Sequence, residues 1–345
     1  MALALSGIAL AGSLDPSYTA ARTLGRGVNL GNMLEAPREG EWGIRLQSEL
    51  FARAKEAGFN TVRLPVRWSN HAEPVSPYRI DEAFFKRVDF AIREATRHGL
   101  NIVVDMHHYR QLDGDPLDEG EQAVDEKVVD ERFVAMWRQI AERYRSQPVQ
   151  TLFFELYNEP HNRLTAEAWN RLVVDALDAI RASSPDRFII VGPAGHNRVD
   201  QLRSLSLPIT DRHIIVTVHL YEPYTFTHQG APWVQGSSKW LNTSCCSDAQ
   251  RREIARALDS AQLWARWQFR PLWVGEFGSN DKADYDSRVR YTRIAREELE
   301  ARGMSWAYWQ LASNFGLFQL EHGTWYTALM EALLGPRKTG DVAGR

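Results

Sequence analysis

Eight short apolar runs, rich in β-branched and aromatic residues, recur along this chain with amphipathic stretches between them. The runs are Gly27–Leu30, Thr61–Pro65, Asn101–Met106, Leu152–Tyr157, Phe188–Val191, Ile214–Val218, Leu272–Gly275 and Met304–Trp309. Phe84, Val88, Ile92 and Ala95 share one helical face before Gly99 stops the helix. Phe133, Trp137, Ile140 and Tyr144 make a second such face, and Trp169, Leu172, Val173 and Ile180 a third. About eight β/α units without a Pro/Gly/Ser-rich linker predict one closed (β/α)8 TIM barrel, an α/β fold. An open doubly wound sheet is the structural alternative, but it would gather its ligand groups at one switch point. Here polar residues close nearly every strand, which favours the barrel.

The barrel is expected over residues 17–338, with tails at 1–16 and 339–345. The run Ala2 to Ala11 ends in Ala9-Leu10-Ala11, an A-x-A-like cleavage site, but lacks a basic n-region. It reads either as the remnant of an export signal, which would make the protein secreted or periplasmic, or as an unstructured tail. No other segment approaches the ~20 apolar residues a membrane span requires. A formal net charge of −3 supplies no electrostatic reason to expect nucleic acid or an anionic membrane as partner. A monomer without cofactor is expected. Cys245 and Cys246 are neighbours in sequence, and a trans peptide sets their Cα atoms about 3.8 Å apart, shorter than ordinary disulfide geometry. Two free thiols are the expectation, and no third or fourth ligand has metal-site spacing.

Two strand ends carry the chemistry. Asn158-Glu159-Pro160 closes the fourth run, and Glu276 closes the seventh in Gly-Glu-Phe-Gly. A carboxylate at the C-terminal end of a barrel strand points into the mouth, where such folds keep their chemistry. Two of them facing each other suit glycosidic-bond hydrolysis, with one carboxyl giving a proton and the other a charge. Strand alternation would put Glu155, Tyr157 and Glu159 on the interior face, with Glu155 about 13 Å below Glu159 as a structural carboxylate. Arg63 on the second strand would point inward and needs a carboxylate partner, either at the site or at Glu155. His107 and His108 close the third strand, where one of them is expected to meet sugar hydroxyls. His219 and Tyr221 have strand spacing on the sixth, and Trp309 at the end of the eighth suits a stacking floor. The chain holds 12 Trp, and the long His219–Leu272 connection, with Trp233 and Trp240, reads as a substrate wall or as a loop packed by its own aromatics. Gly25-Arg-Gly27 lacks both the spacing and the preceding strand of a dinucleotide loop.

Together these residues resemble glycoside hydrolase family 5, the retaining (β/α)8 group with many cellulases and mannanases, from Gly25 to about Leu334. The resemblance implies that Glu159 is the acid/base within Asn158-Glu159-Pro160 and that Glu276 is the nucleophile. It implies that Arg63 holds Glu276 ionised, that Tyr221 of the His219-x-Tyr221 pair hydrogen-bonds Glu276, and that His107, with His108 beside it, binds substrate. Asn32 and Glu35 fall in the first-strand segment lining the glycone side, and Trp309 is the platform at the −1 sugar. Phe226-Thr-His228-Gln-Gly-Ala-Pro-Trp233 is similar to a loop in thermophilic bacterial endoglucanases that bears a substrate-binding His and Trp. Those enzymes often follow the eighth-strand Trp with an acidic residue, where this chain has Gln310. A cis Trp309–Gln310 bond is implied as well. The activity so implied is a retaining endo-1,4-β-glucanase acting on cellulose and mixed-linkage β-glucan. A β-mannanase, a broad β-glucan, xyloglucan or glucomannan hydrolase, or a non-catalytic polysaccharide-binding barrel are the alternatives. The mechanism requires a carboxyl separation of roughly 5–5.5 Å. It also asks for surroundings that favour neutral Glu159 and charged Glu276.

Overall fold

The computed structural model describes residues 15–118 and 121–335. The readings of residues 1–11 and of the C-terminal tail fall outside them, although Pro16 already begins a helix. Eight parallel strands close into a barrel in sequence order: β1 Arg26–Asn29, β2 Thr61–Leu64, β3 Asn101–Asp105, β4 Leu152–Glu155, β5 Ile189–Val191, β6 Ile214–Leu220, β7 Leu272–Phe277 and β8 Ser305–Tyr308. β8 pairs with β1, so the barrel itself has no open strand edge. Each strand end lies within two residues of its expected position, the largest extensions being at the C-terminal ends of β6 and β7.

Strand alternation divides the core into two layers. One set of side chains fills the barrel interior, among them Val103, Phe153, Ile190, Ile215, Trp273 and Ala307, and Leu24 of the Pro16–Leu24 helix packs with them. The other set meets the surrounding helices. Glu82–Arg97 buries Phe84, Val88, Ile92 and Ala95, and Val129–Arg143 buries Phe133, Trp137 and Ile140. Ala166–Arg181 buries Trp169, Leu172, Val173 and Ile180. These are the faces that periodicity marked. Burial of each large apolar side chain is worth about 1.5–3 kcal/mol, which orients every helix against the sheet.

The long connection after β6 departs from its reading. Its second half is a helix, Asp248–Gln268, whose buried face is Ile254, Leu258, Ala261 and Ala265. Ser247 and Gln250 form a capping box at its start, a signal visible in the sequence. The fifth connection, by contrast, has only a 3-10 turn at Val199–Ser204. Cys245 and Cys246 are joined by a disulfide, which corrects the expectation of two free thiols. That expectation took the peptide between them as trans. It is cis, and the Cα atoms stand 3.0 Å apart. No described helix is long and apolar enough to cross a membrane.

Candidate active site

Arg63 organises the floor of the barrel mouth. The side chain is fully buried, and three carboxylates share it: Glu155 (Nε–Oε2 2.7 Å), Asp105 (Nη2–Oδ2 2.8 Å) and Glu276 (Nη1–Oε1 2.6 Å). It also donates to the Oδ1 atoms of Asn29 and Asn158, each at 2.9 Å. Both partners proposed for it are therefore real, because a guanidinium fork presents enough N–H groups to serve the structural carboxylate and the site together. Burial raises Asp105 to about 6 against the opposing pull of Arg63. Asp105 in turn fixes His107 through Nδ1 at 2.9 Å.

Alternation fails where β4 ends. Strand pairing stops at Glu155, and Glu159 takes a left-handed backbone at φ 52°. Asn158 therefore faces Arg63, while Tyr157 turns outward onto Phe133 and Trp169 of the helical layer. This corrects the placement of Tyr157 in the interior. A period of two holds only while the backbone stays extended.

One oxygen each of Glu159 and Glu276 and one ring nitrogen of His219 all lie within 4.8 Å of one another. Such closeness belongs to the retaining arrangement, since inverting enzymes keep roughly 6.5–9.5 Å for a water. His219 Nδ1 is 2.7 Å from Glu159 Oε1 and 3.5 Å from Glu276 Oε2. Tyr221 donates its hydroxyl to Glu276 Oε2 at 2.8 Å. β6 and β7 shift register between Val218 and His219, which brings His219 opposite Glu276.

Protonation in the site differs from the expectation. Burial raises the proton affinity of Glu276 and the charge of Glu159 adds to it, while His219, Arg63 and Tyr221 pull it down. Glu159 is desolvated too, yet the imidazoles of His196 and His219 beside it take it well below the usual carboxylate range. Burial opposes a charged His219, but Glu276 and Glu159 raise its pKa all the same. His219 Nδ1 and Glu159 Oε1, 2.7 Å apart, therefore share a proton between them. If turnover requires ionised Glu276 and a proton on that pair, kcat/KM should have its acid limb above 4.5, the ordinary glutamate value. Its basic limb should lie above 6.5, the ordinary histidine value. The pH profile of the wild type and of His219→Gln checks this, and the variant should lose the raised basic limb. A wild-type basic limb below the ordinary histidine value would contradict the shared proton.

A cleft of ≈ 1020 Å³ surrounds the pair. Asn32, Glu35, His107, His108, Asn158, His219, Tyr221, His228, Trp233 and Trp309 all line it. The rings of His107 and Trp309 are parallel, with centroids 5.4 Å apart. His108 lines the cleft as well as His107, because β3 ends at Asp105 and its alternation no longer separates them. Glu35 is buried beneath this wall and accepts the backbone N–H groups of Asn32 and Met33; burial pushes it up to about 7. The Trp309–Gln310 peptide is cis. Gln310 Nε2 donates to Asn32 Oδ1 at 3.0 Å, while its buried Oε1 has no protein partner. Trp233 is 57% exposed on the rim, whereas Trp240 packs edge-on against Tyr224 and does not line the cleft. The long connection thus acts both as wall and as self-packed loop.

Sequence reasoning missed Trp42, Tyr224, His161 and His196, which also line the cleft. They come from connections with no strand-end signal of their own. Among the described residues, two clusters bring three potential ligand atoms together, Glu159–His219–Glu276 and Asp113–Asp115–His161. In both, the histidine nitrogens already meet protein acceptors: His219 meets Glu159, and His161 meets the Glu159 carbonyl and Asp115.

Residues 24–315 match the family described as Cellulase (glycosyl hydrolase family 5). Endoglucanase H of Acetivibrio thermocellus is 31% identical over 330 residues, covering 94% of this chain and 34% of that protein. Cellulase/esterase CelE of the same organism is 30% identical over 332 residues, covering 89% and 39%. The chain thus spans little more than a third of the length of these relatives. Among solved structures, Thermotoga maritima Cel5A in complex with mannotriose is 43% identical, with a TM-score of 0.87, and covers 92% of this chain and 99% of its own. The same enzyme has been solved with cellobiose, with the same identity and TM-score.

Proposed function

Because the chain belongs to glycosyl hydrolase family 5, we propose that it is a retaining endo-1,4-β-glucanase that cleaves internal bonds of cellulose-type and mixed-linkage β-glucans. The observation that carries this reading is the close Glu159–Glu276 pair, with Glu276 gripped by Arg63 and Tyr221. In the first step a Glu276 oxygen bonds to the anomeric carbon, the glycosidic C–O bond breaks, and the Glu159–His219 pair gives its proton to the leaving oxygen. In the second step water attacks the same carbon, its proton passes to Glu159, and Glu276 is released. Two inversions at one centre retain configuration. Arg63 and Tyr221 keep the Glu276 oxygens aimed and limit its basicity, as a nucleophile and leaving group requires. Asn158, His107 and His108 offer hydrogen bonds to sugar hydroxyls beside Glu159, and Trp309 offers its indole face beneath the reacting ring. Asn32, held over Glu35, together with His228 and Trp233, extends binding along the cleft. A polymer too large to enter a cell fits the reading of a monomer working outside the cytoplasm.

Substrate preference turns on Gln310. A neutral amide beside Asn32 is a weaker acceptor for a sugar hydroxyl than a carboxylate would be. An axial 2-hydroxyl, the mark of manno-configured chains, therefore gains little here. Carboxymethylcellulose and barley β-glucan should be cleaved faster than galactomannan by the purified protein. Gln310→Glu should raise the mannan-to-glucan ratio by roughly fivefold, the size of one improved hydrogen bond. Galactomannan as the better wild-type substrate would favour the second reading, a β-mannanase, which the mannotriose complex of Thermotoga maritima Cel5A recommends. A product that inverts anomeric configuration, or no hydrolysis of any β-glucan, xyloglucan or mannan, would defeat the proposal.

A further inference from the structure

Three successive residues after β5, Gly195, His196 and Asn197, all have left-handed backbones, with φ of 84°, 63° and 52°. Two of them are not glycine, and such a conformation persists only where its surroundings enforce it. The enforcement comes from the acid/base segment itself. The backbone N–H groups of Gly195 and His196 both donate to the carbonyl of Pro160, at 2.7 and 3.3 Å. Two of the three residues, His196 and Asn197, also reach both sides of Glu159. The Asn197 amide meets His219 Nε2 at 3.4 Å, while His219 Nδ1 holds Glu159 Oε1. His196 Nδ1 stands 3.7 Å from Glu159 Oε2, the oxygen that His219 leaves free.

His196 is not loose in this position. Its ring stacks on His161, with centroids 4.3 Å apart and an angle of 24°. His161 is in turn fixed, through Nδ1 to the Glu159 carbonyl at 2.6 Å and through Nε2 to Asp115 Oδ2 at 3.1 Å. Asp113 Oδ1 lies 3.5 Å from the same ring, so two carboxylates flank the imidazole on which His196 rests. The same aromatic stack thus holds the backbone of Glu159 and approaches its side chain. A gap of 3.7 Å is longer than a hydrogen bond, but catalytic contacts of this kind commonly close only with substrate in place.

We propose that His196 is a positioning residue for the acid/base, its imidazole fixing Glu159 Oε2 so that the carboxyl group stays aimed at the glycosidic oxygen during proton transfer. The inference rests on the acid/base reading of Glu159. It requires His196 to matter in proportion to how much proton donation a leaving group needs. A purely structural role would not discriminate among leaving groups.

The experiment is single-turnover glycosylation on a series of aryl β-cellobiosides, from dinitrophenyl to unsubstituted phenyl. His196→Phe keeps a ring face for His161 and removes both nitrogens. It should slow the phenyl substrate roughly tenfold, a fraction of what a whole general acid supplies, and leave the dinitrophenyl substrate within about twofold. His196→Gln, whose amide can reach Oε2, should recover most of the loss, and His196→Ala should reproduce the Phe defect by a second route. An equal loss on all leaving groups, no loss in either Phe or Ala, or no rescue by Gln overturns the proposal. Glu159→Ala in the same series separates the two readings: if it shows no leaving-group dependence, the acid/base assignment itself has failed, whatever His196 does.

Discussion

Glu276→Ala should lose turnover on every substrate, by on the order of 10⁴-fold or more, because no glycosyl-enzyme can form without the attacking carboxylate. Its environment supports no substitute. Asp105 and Glu155, the other carboxylates on Arg63, are completely buried below it and cannot reach a sugar. Glu159→Ala should behave differently. Natural glucans, whose leaving alkoxide needs a proton, should slow by roughly 10²–10⁴-fold. An activated aryl glycoside should keep near wild-type glycosylation and then stall, because deglycosylation lacks its base. Burst kinetics measured with both variants decide the assignment. Equal losses in the first step on the activated substrate would mean that the two glutamates do not divide the roles as proposed.

Arg63→Met should be the most destabilising single change at the site, costing about 3–5 kcal/mol at neutral pH. It leaves Asp105, Glu155 and Glu276 together in the barrel with no cation among them. The pH dependence gives this prediction its sign. Burial already raises Asp105 to about 6 and raises Glu155, and Arg63 is what opposes that shift. Without the guanidinium their folded-state pKa values rise further above the unfolded ones, so folding favours their protonated forms. The deficit should therefore shrink as pH falls through the raised values and grow as pH climbs above them. Denaturant titrations of wild type and variant at acid and neutral pH test this directly. A deficit that does not change with pH would assign the loss to the cavity left by the side chain, not to unpaired charge. Adding Glu155→Gln should return part of the stability but none of the activity, since Glu276 would still lack its partner.

Much of this molecule could be read along the chain, and the reason is local. A strand covered on both sides must be apolar throughout its length, and a helix lying on it must repeat its apolar residues at helical spacing. β2, β3 and the faces led by Phe84, Phe133 and Trp169 therefore stood out before any contact was known. Glu159 and Glu276 were legible for a related reason, as charged groups set just where such apolar runs stop. What the chain did not reveal depends on closure of the barrel. The sharing of Arg63 among three carboxylates requires β2, β3, β4 and β7 to converge, and no spacing in sequence measures that distance. The outward turn of Tyr157 follows from the end of strand geometry after Glu155, and the position of His219 follows from a register shift between β6 and β7. The proton shared by Glu159 and His219 and the approach of His196 depend on those displacements. Residue types and their order thus determined the barrel and its two glutamates, through burial patterns that each segment carries by itself. The protonation and aim of those glutamates were decided only in three dimensions, where desolvation and charges from distant segments act over a few ångströms.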